Sequence, residues 1–207
     1  MLDTVDSALV DLKAGRLIDL LDDEDRECEG DLIGAAALVT PDTINFMVTQ
    51  GRGAFIAAFM PYGRCDLLGI GPMGQTNNSF NQTQFRVAVD ARDGGSGSSA
   101  RDRALTVNLL GRPGTVATDF VQPGHVVPIE AHPQGLAARR GHTEAGVALM
   151  QLAGFHPPVA VDLEILDEDG EMAKQPALMA FARRFGLKII TVESLVQHLK
   201  RVAEGAA

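Results

Sequence analysis

Between Asp22 and Asp31 the chain reads DDEDRECEGD, and seven of these ten side chains are carboxylic acids. The segment constrains the fold strongly because it directly follows Leu17-Ile18-Asp19-Leu20-Leu21, an apolar run that reads as a buried strand. A strand from the interior must therefore end where dense negative charge is tolerated. Carboxylates this close repel one another, so they stay solvated, take up protons or share a positive partner. Arg26 is the only base in the segment, and the whole chain carries a net charge of −9 with no basic cluster. Binding to nucleic acid through phosphate contacts is not expected of such a chain. The positive partner that fits is small, such as a metal ion.

The 207 residues contain no linker that divides them, so a single domain over 1–207 is expected. The longest apolar stretch, Leu32 to Val39, falls far short of the roughly 20 residues of a membrane span, which predicts a soluble protein with no membrane partner. The opening MLDTVDSALVDL has no basic stretch leading into an apolar block, and Cys28 and Cys65 do not suggest a disulfide framework. A reducing cytoplasm is the expected location.

Asp3 and Thr4 are placed to cap a helix with Val5, Ala8, Leu9 and Leu12 on one face, ending near Gly15. Thr40-Pro41-Asp42 starts a second helix closed by Gly51 and Gly53, and Ala54 to Met60 reads as a strand. Residues 61–84 form a long polar segment, either a functional lid or a plain surface loop. Strands follow at Phe85 to Asp90, His125 to Glu130, Val159 to Leu166 and Leu187 to Val192. Helices follow near Ser99 to Leu110, from His142 to Gly154, at Pro176 to Phe185 and at Glu193 to Val202. Strands and helices mix without strict alternation, which predicts an α+β fold with a mixed sheet and surrounding helices.

Three motifs mislead. Gly69-Ile70-Gly71-Pro72-Met73-Gly74 matches a dinucleotide fingerprint, but Gln75-Thr76-Asn77-Asn78 follows it rather than a helix aimed at a pyrophosphate. The acidic decad lacks the glycine and glutamate spacing of a calcium loop. GGSGSSARDR lacks the lysine of a P-loop, although its donor-rich turn suits a phosphate or hydroxyl. More informative is Arg139-Arg140-Gly141-His142-Thr143-Glu144, which gathers guanidinium groups, a hydroxyl and free amides at a helix start, a site of phosphate size. An ordinary N-cap with solvated arginines is the plainer reading. His142 adds an imidazole, which with carboxylates makes an ordinary donor set for divalent metals.

DDEDRECEGDL, SGSSARDRA, Pro123 to Pro128 (PGHVVP), and RRGHTEA followed by LMQLAGF occur in this order, and together they resemble the 3,4-dihydroxy-2-butanone 4-phosphate synthases of riboflavin biosynthesis. The resemblance runs from about Val5 to Leu199. It implies a homodimeric α+β enzyme that converts ribulose 5-phosphate to the four-carbon ketone phosphate and formate with Mg2+ or Mn2+. The family's Asp-Arg-Glu falls on Asp25, Arg26 and Glu27. Glu27 and His142 are then the metal ligands, with Arg26, Asp31 and Asp22 around the sugar. Arg139, Arg140, Gly141, His142 and Thr143 match the phosphate-binding run, and Ser96 a substrate contact. His125 and Glu164 are the implied proton-transfer groups, Glu164 only if one residue is deleted before it, and a second carboxylate such as Glu29 or Asp22 suits the remaining proton transfers.

The departures are specific. Cys28 stands where the family has asparagine, Ser96 where it has threonine and Ser98 where it has an aliphatic residue. Gln122, Val127, Ile129 and Glu130 replace Arg, Phe, Leu and Arg around the Pro-Gly-His run. The cysteine expected in the strand after Gly51-Arg52-Gly53 is absent, since that strand reads AFIAAFM. The alternatives are a divergent paralogue for another sugar phosphate and a non-catalytic protein that binds metal and sugar phosphate.

Overall fold

In the computed structural model of the chain, residues 2–22, 26 and 28–205 are described. Thr4 caps α1 (Val5–Lys13) by accepting from the Ser7 amide, and β1 (Ile18–Leu21), the acidic segment and β2 (Gly30–Ala35) follow. Thr40 and Thr43 form a reciprocal capping box at α2 (Pro41–Phe46), with proline at the tolerated first turn. Beyond it lie β3 (Ile56–Met60), the single turn α3 (Arg64–Leu67), β4 (Gln84–Phe85), β5 (Val89–Ala91) and α4 (Ala100–Leu110). The chain continues through β6 (Phe120–Glu130), α5 (His142–Ala153), β7 (Ala160–Glu164), α6 (Gln175–Phe185), β8 (Lys188–Thr191) and α7 (Val192–Gly205).

The strands share one sheet in the order β4-β6-β3-β7-β2-β1-β8, with β5 also paired to β6. β1 with β8 and β3 with β6 run parallel, while β1 with β2, β2 with β7 and β3 with β7 run antiparallel. This is the mixed α+β sheet that the sequence predicts. Alternation along each strand sends side chains to two apolar layers. One layer packs Leu32, Ile56, Val161 and Leu163 against α2, α4 and α6. The other packs Ile18, Leu20, Ile33 and Phe59 against α1, α5 and α7. No helix among the described residues is long and apolar enough to cross a membrane.

Three segments differ from the periodicity reading. The strand expected from Phe85 to Asp90 divides into β4 and β5, with a register shift on β6 between Val89 and Asp90. The strand expected from His125 begins earlier, at Phe120, because β5 pairs with the Phe120–Val126 half of β6. The second helix gives way after Phe46 to a wider π turn, Met47–Gly51, with Arg52 in the left-handed region at φ 65°. Glycine is required at position 53, where a Cβ would overlap the Glu164 carbonyl.

Candidate active site

A cleft of about 260 Å³ opens where the N-terminus of α5 meets the start of β2 and the end of β7. Register explains its floor. Asp31 of β2 lies across from Glu164 of β7, and Asp162 lies across from Ile33 on one side and Ala57 on the other. With a side-chain period of two, Asp31, Asp162 and Glu164 share the face toward α5. His142, the first residue of α5, is buried over them with Nδ1 3.3 Å from Asp31 Oδ2.

Crowding decides the protonation of this group. Burial first, then the Asp162 and Glu164 carboxylates, raise the Asp31 pKa well above the ordinary carboxylate range. Burial, opposed by a hydrogen bond from Asp31 and with Glu164 adding to it, pushes Asp162 up to about 8. Burial lowers His142 to about 4, against the attraction of Asp22, so its imidazole is neutral at physiological pH. A neutral imidazole beside carboxylates that hold protons for want of a counter-charge is a donor set suited to a hard divalent cation. Among the described residues no three His, Cys, Asp or Glu side chains already converge in a metal-ligating arrangement.

The other end of the cleft is cationic. Arg139 donates from Nη1 to Glu144 Oε2 at 2.7 Å and from Nη2 to Thr83 Oγ1 at 3.2 Å. Glu144 is itself buried and accepts from the His132 amide at 2.9 Å, so the guanidinium is held on a fixed carboxylate. Gly141 is the N-cap of α5, and a Cβ there would overlap the Arg139 guanidinium. Thr143 completes this wall, and the first-turn amides of α5 supply the positive end of the helix dipole. Arg140 does not line the cleft; it pairs with Glu193 of α7.

The remaining predicted residues divide three ways. Arg26 lines the cleft and donates to Asp22 Oδ2 at 2.8 Å, while Asp22 Oδ1 accepts the Glu29 amide at 3.0 Å, so Asp22 shapes the acidic segment from beneath. Asp22 and Glu29 line a neighbouring pocket of about 240 Å³ with Cys28 and Leu178. Glu27, with Asp25, lies outside the described residues. His125 and Ser96 form a separate group: Asp90 accepts the His125 amide at 2.9 Å and sits 2.7 Å from His125 Nδ1. Gly97, at φ +84°, lets the Ser96–Ser98 turn press against Asp90. His125 precedes the cleft residue Ile129 by four positions on β6, about 13 Å at the ordinary strand rise.

Several cleft residues carry no sequence prediction. Ser79, Phe80, Asn81 and Thr83 come from the polar 61–84 segment, and they line the cleft. Asp162 was legible, because it stands two residues before Glu164 in a strand and must share its face.

The chain matches the family model described as 3,4-dihydroxy-2-butanone 4-phosphate synthase over residues 6–198. It is similar to the riboflavin biosynthesis protein RibBA of Aquifex aeolicus, 45% identical over 96% of this chain and 49% of that protein. It is also similar to the 3,4-dihydroxy-2-butanone 4-phosphate synthase of Pseudomonas aeruginosa, 43% identical over 98% of this chain and 57% of that one. The chain thus spans about half the length of the curated relatives it matches. A crystal structure of 3,4-dihydroxy-2-butanone 4-phosphate synthase in complex with two magnesium ions superposes with a TM-score of 0.90 at 38% identity, over 96% of this chain and 97% of that one.

Proposed function

Because this chain belongs to the 3,4-dihydroxy-2-butanone 4-phosphate synthase family, we propose that it is a lyase of riboflavin biosynthesis that converts ribulose 5-phosphate to 3,4-dihydroxy-2-butanone 4-phosphate and formate. The observation that carries this reading is one cleft with two chemically different ends: neutral His142 over the Asp31, Asp162 and Glu164 floor, and Arg139 at the N-terminus of α5. The substrate has the same division, with a ketone and hydroxyls at one end and a phosphate at the other.

Arg139 and the first-turn amides of α5 hold the phosphate, and Thr143 adds a hydroxyl contact. Arg26 and Asp31 hold the sugar hydroxyls. Glu164 moves protons at the sugar carbons, while Phe55 and Phe59 on the wall exclude water. His142, neutral and buried, and Glu27 would hold a divalent cation, Mg2+ or Mn2+. When bound, that cation supplies electrophilic stabilisation of a sugar carbonyl and its adjacent hydroxyl.

His125 is the second proton-transfer group, with Asp90 at Nδ1 leaving Nε2 as the nitrogen that exchanges a proton. Its separation from the cleft in one chain supports a homodimer in which His125 and Ser96 of a second copy complete each site. The reaction belongs in the cytoplasm, where the free thiols of Cys28 and Cys65 stay reduced.

The test is purified protein with ribulose 5-phosphate and magnesium, read by formate release. Release that stops in chelator and returns with magnesium is the expected result. Binding of ribulose 5-phosphate without any formate sinks the enzyme reading in favour of a non-catalytic binding protein.

A further inference from the structure

Asp162 is the one ionisable side chain among the described cleft residues to which the sequence assigns no role. It is 5% exposed, and its Oδ1 has no hydrogen-bond partner. Asp31 Oδ1, on the same face of the same sheet, also lacks one. The two carboxyls hydrogen-bond each other, yet each leaves one oxygen unsatisfied; buried acceptors are normally satisfied, and two orphan oxygens on one cleft floor mark where a ligand's donors belong. The neighbouring strand sharpens the point. In β3 only Ala57 and Phe59 face the cleft layer, the alternate residues Ile56, Ala58 and Met60 facing the other. A side chain from β3 could serve the site only from those cleft-facing positions, and neither carries the thiol that the resemblance leads one to expect. Asp162 is the register partner of Ala57, so the polar group stands on the facing strand instead.

We propose that Asp162 is a substrate-contacting, specificity-determining residue whose carboxyl hydrogen-bonds a hydroxyl of the bound sugar phosphate beside Asp31. The assignment rests on the reaction proposed above and deepens it, because it names the group on this chain that reads the hydroxyl pattern. Burial, opposed by the Asp31 hydrogen bond and reinforced by Glu164, pushes Asp162 up to about 8, so at neutral pH its carboxyl can both donate and accept. A residue that only shares a proton with Asp31 to fill the floor would affect folding and leave substrate preference alone.

The experiment compares the parent chain with Asp162→Leu, Asp162→Ala and Asp162→Asn in magnesium, by formate kinetics and isothermal titration with ribulose 5-phosphate and its epimer xylulose 5-phosphate. Thermal unfolding checks the fold, and Asp162→Ala, which leaves space, serves if the leucine does not pack. The apolar variants are expected to raise KM and Kd for ribulose 5-phosphate about tenfold and to narrow its preference over xylulose 5-phosphate, whereas Asp162→Asn, which keeps a donor and an acceptor, stays within about threefold. A folded apolar variant whose KM, Kd and preference match the parent overturns the assignment, including when kcat alone falls. A parent that neither binds nor converts ribulose 5-phosphate overturns the proposed reaction and this assignment together. An active parent with unchanged variants removes only the role of Asp162.

Discussion

Asp19 lies at the middle of β1 with no exposure, facing Leu178 of α6 across Gly30, and neither of its carboxyl oxygens has a hydrogen-bond partner. Burial raises its pKa well above the ordinary 3.8, so the folded chain keeps a proton that the unfolded chain releases. Because the folded value is the higher one, the stabilising proton uptake is complete below the unfolded pKa and is lost as pH rises toward the folded one. Asp19→Val should therefore be more stable than the parent by about 1–3 kcal/mol at neutral pH. Urea unfolding should show that margin widening as pH rises above the unfolded value of 3.8; a margin independent of pH would refute the account. Gly141 shows the opposite economy of space. Gly141→Ala pushes a Cβ into the Arg139 guanidinium and against its buried partner Glu144, so KM for ribulose 5-phosphate should rise about tenfold and the melting temperature should fall as that pair is disturbed. Cys28 is a third case: it holds φ 56°, a conformation easier for the asparagine that the resemblance leads one to expect there, which gives that departure a backbone meaning.

The start of α5 was the most legible element. Arg-Arg-Gly-His-Thr-Glu announces a helix N-terminus and an anion site together, and the helix begins at His142 as expected. Sequence could not separate the two arginines. Arg139 turns into the cleft because buried Glu144, five residues on, accepts it, whereas Arg140 turns out to Glu193. Arg139→Ala should raise KM about tenfold to a hundredfold, the scale of a charge-assisted contact worth roughly 1.5–3 kcal/mol. Arg140→Ala should change it less than about threefold, since an exposed ion pair contributes little. Steady-state kinetics on the pair decides it, and equal effects would place the phosphate elsewhere. β7 was only half legible. Its Glu164 came through resemblance, but Asp162 follows from alternation, which an apolar Val159-to-Leu166 reading passes over.

At the scale of the whole molecule, one chain assembles the Asp31, His142, Arg139 and Glu164 cleft and holds His125 with Asp90 apart from it. Shared sites have a direct signature. His125→Ala and His142→Ala should each lose about 10²–10⁴-fold in turnover as pure proteins. Mixing them after reversible dissociation should recover about a quarter of the parent activity, because half of the random dimers carry one site free of both substitutions. Sedimentation would confirm dimers in every sample. Mixtures no more active than their components would mean that each chain works alone, with His125 outside the reaction.

The sequence by itself determined the elements and their faces, since periods of two and of 3.6 residues are local properties of the backbone. It also carried the expectation of a cation at the acidic segment and the family resemblance that includes Arg26, Asp31, His142 and Glu164. What only the tertiary structure decided was neighbourhood. Strand order puts β7 between β2 and β3, so Asp162 meets Asp31 and faces Ala57, contacts more than a hundred positions apart in the chain. Burial then sets the protons, lowering His142 and raising Asp31 and Asp162, because a carboxylate's charge is governed by the dielectric and charges around it and not by its place in the sequence.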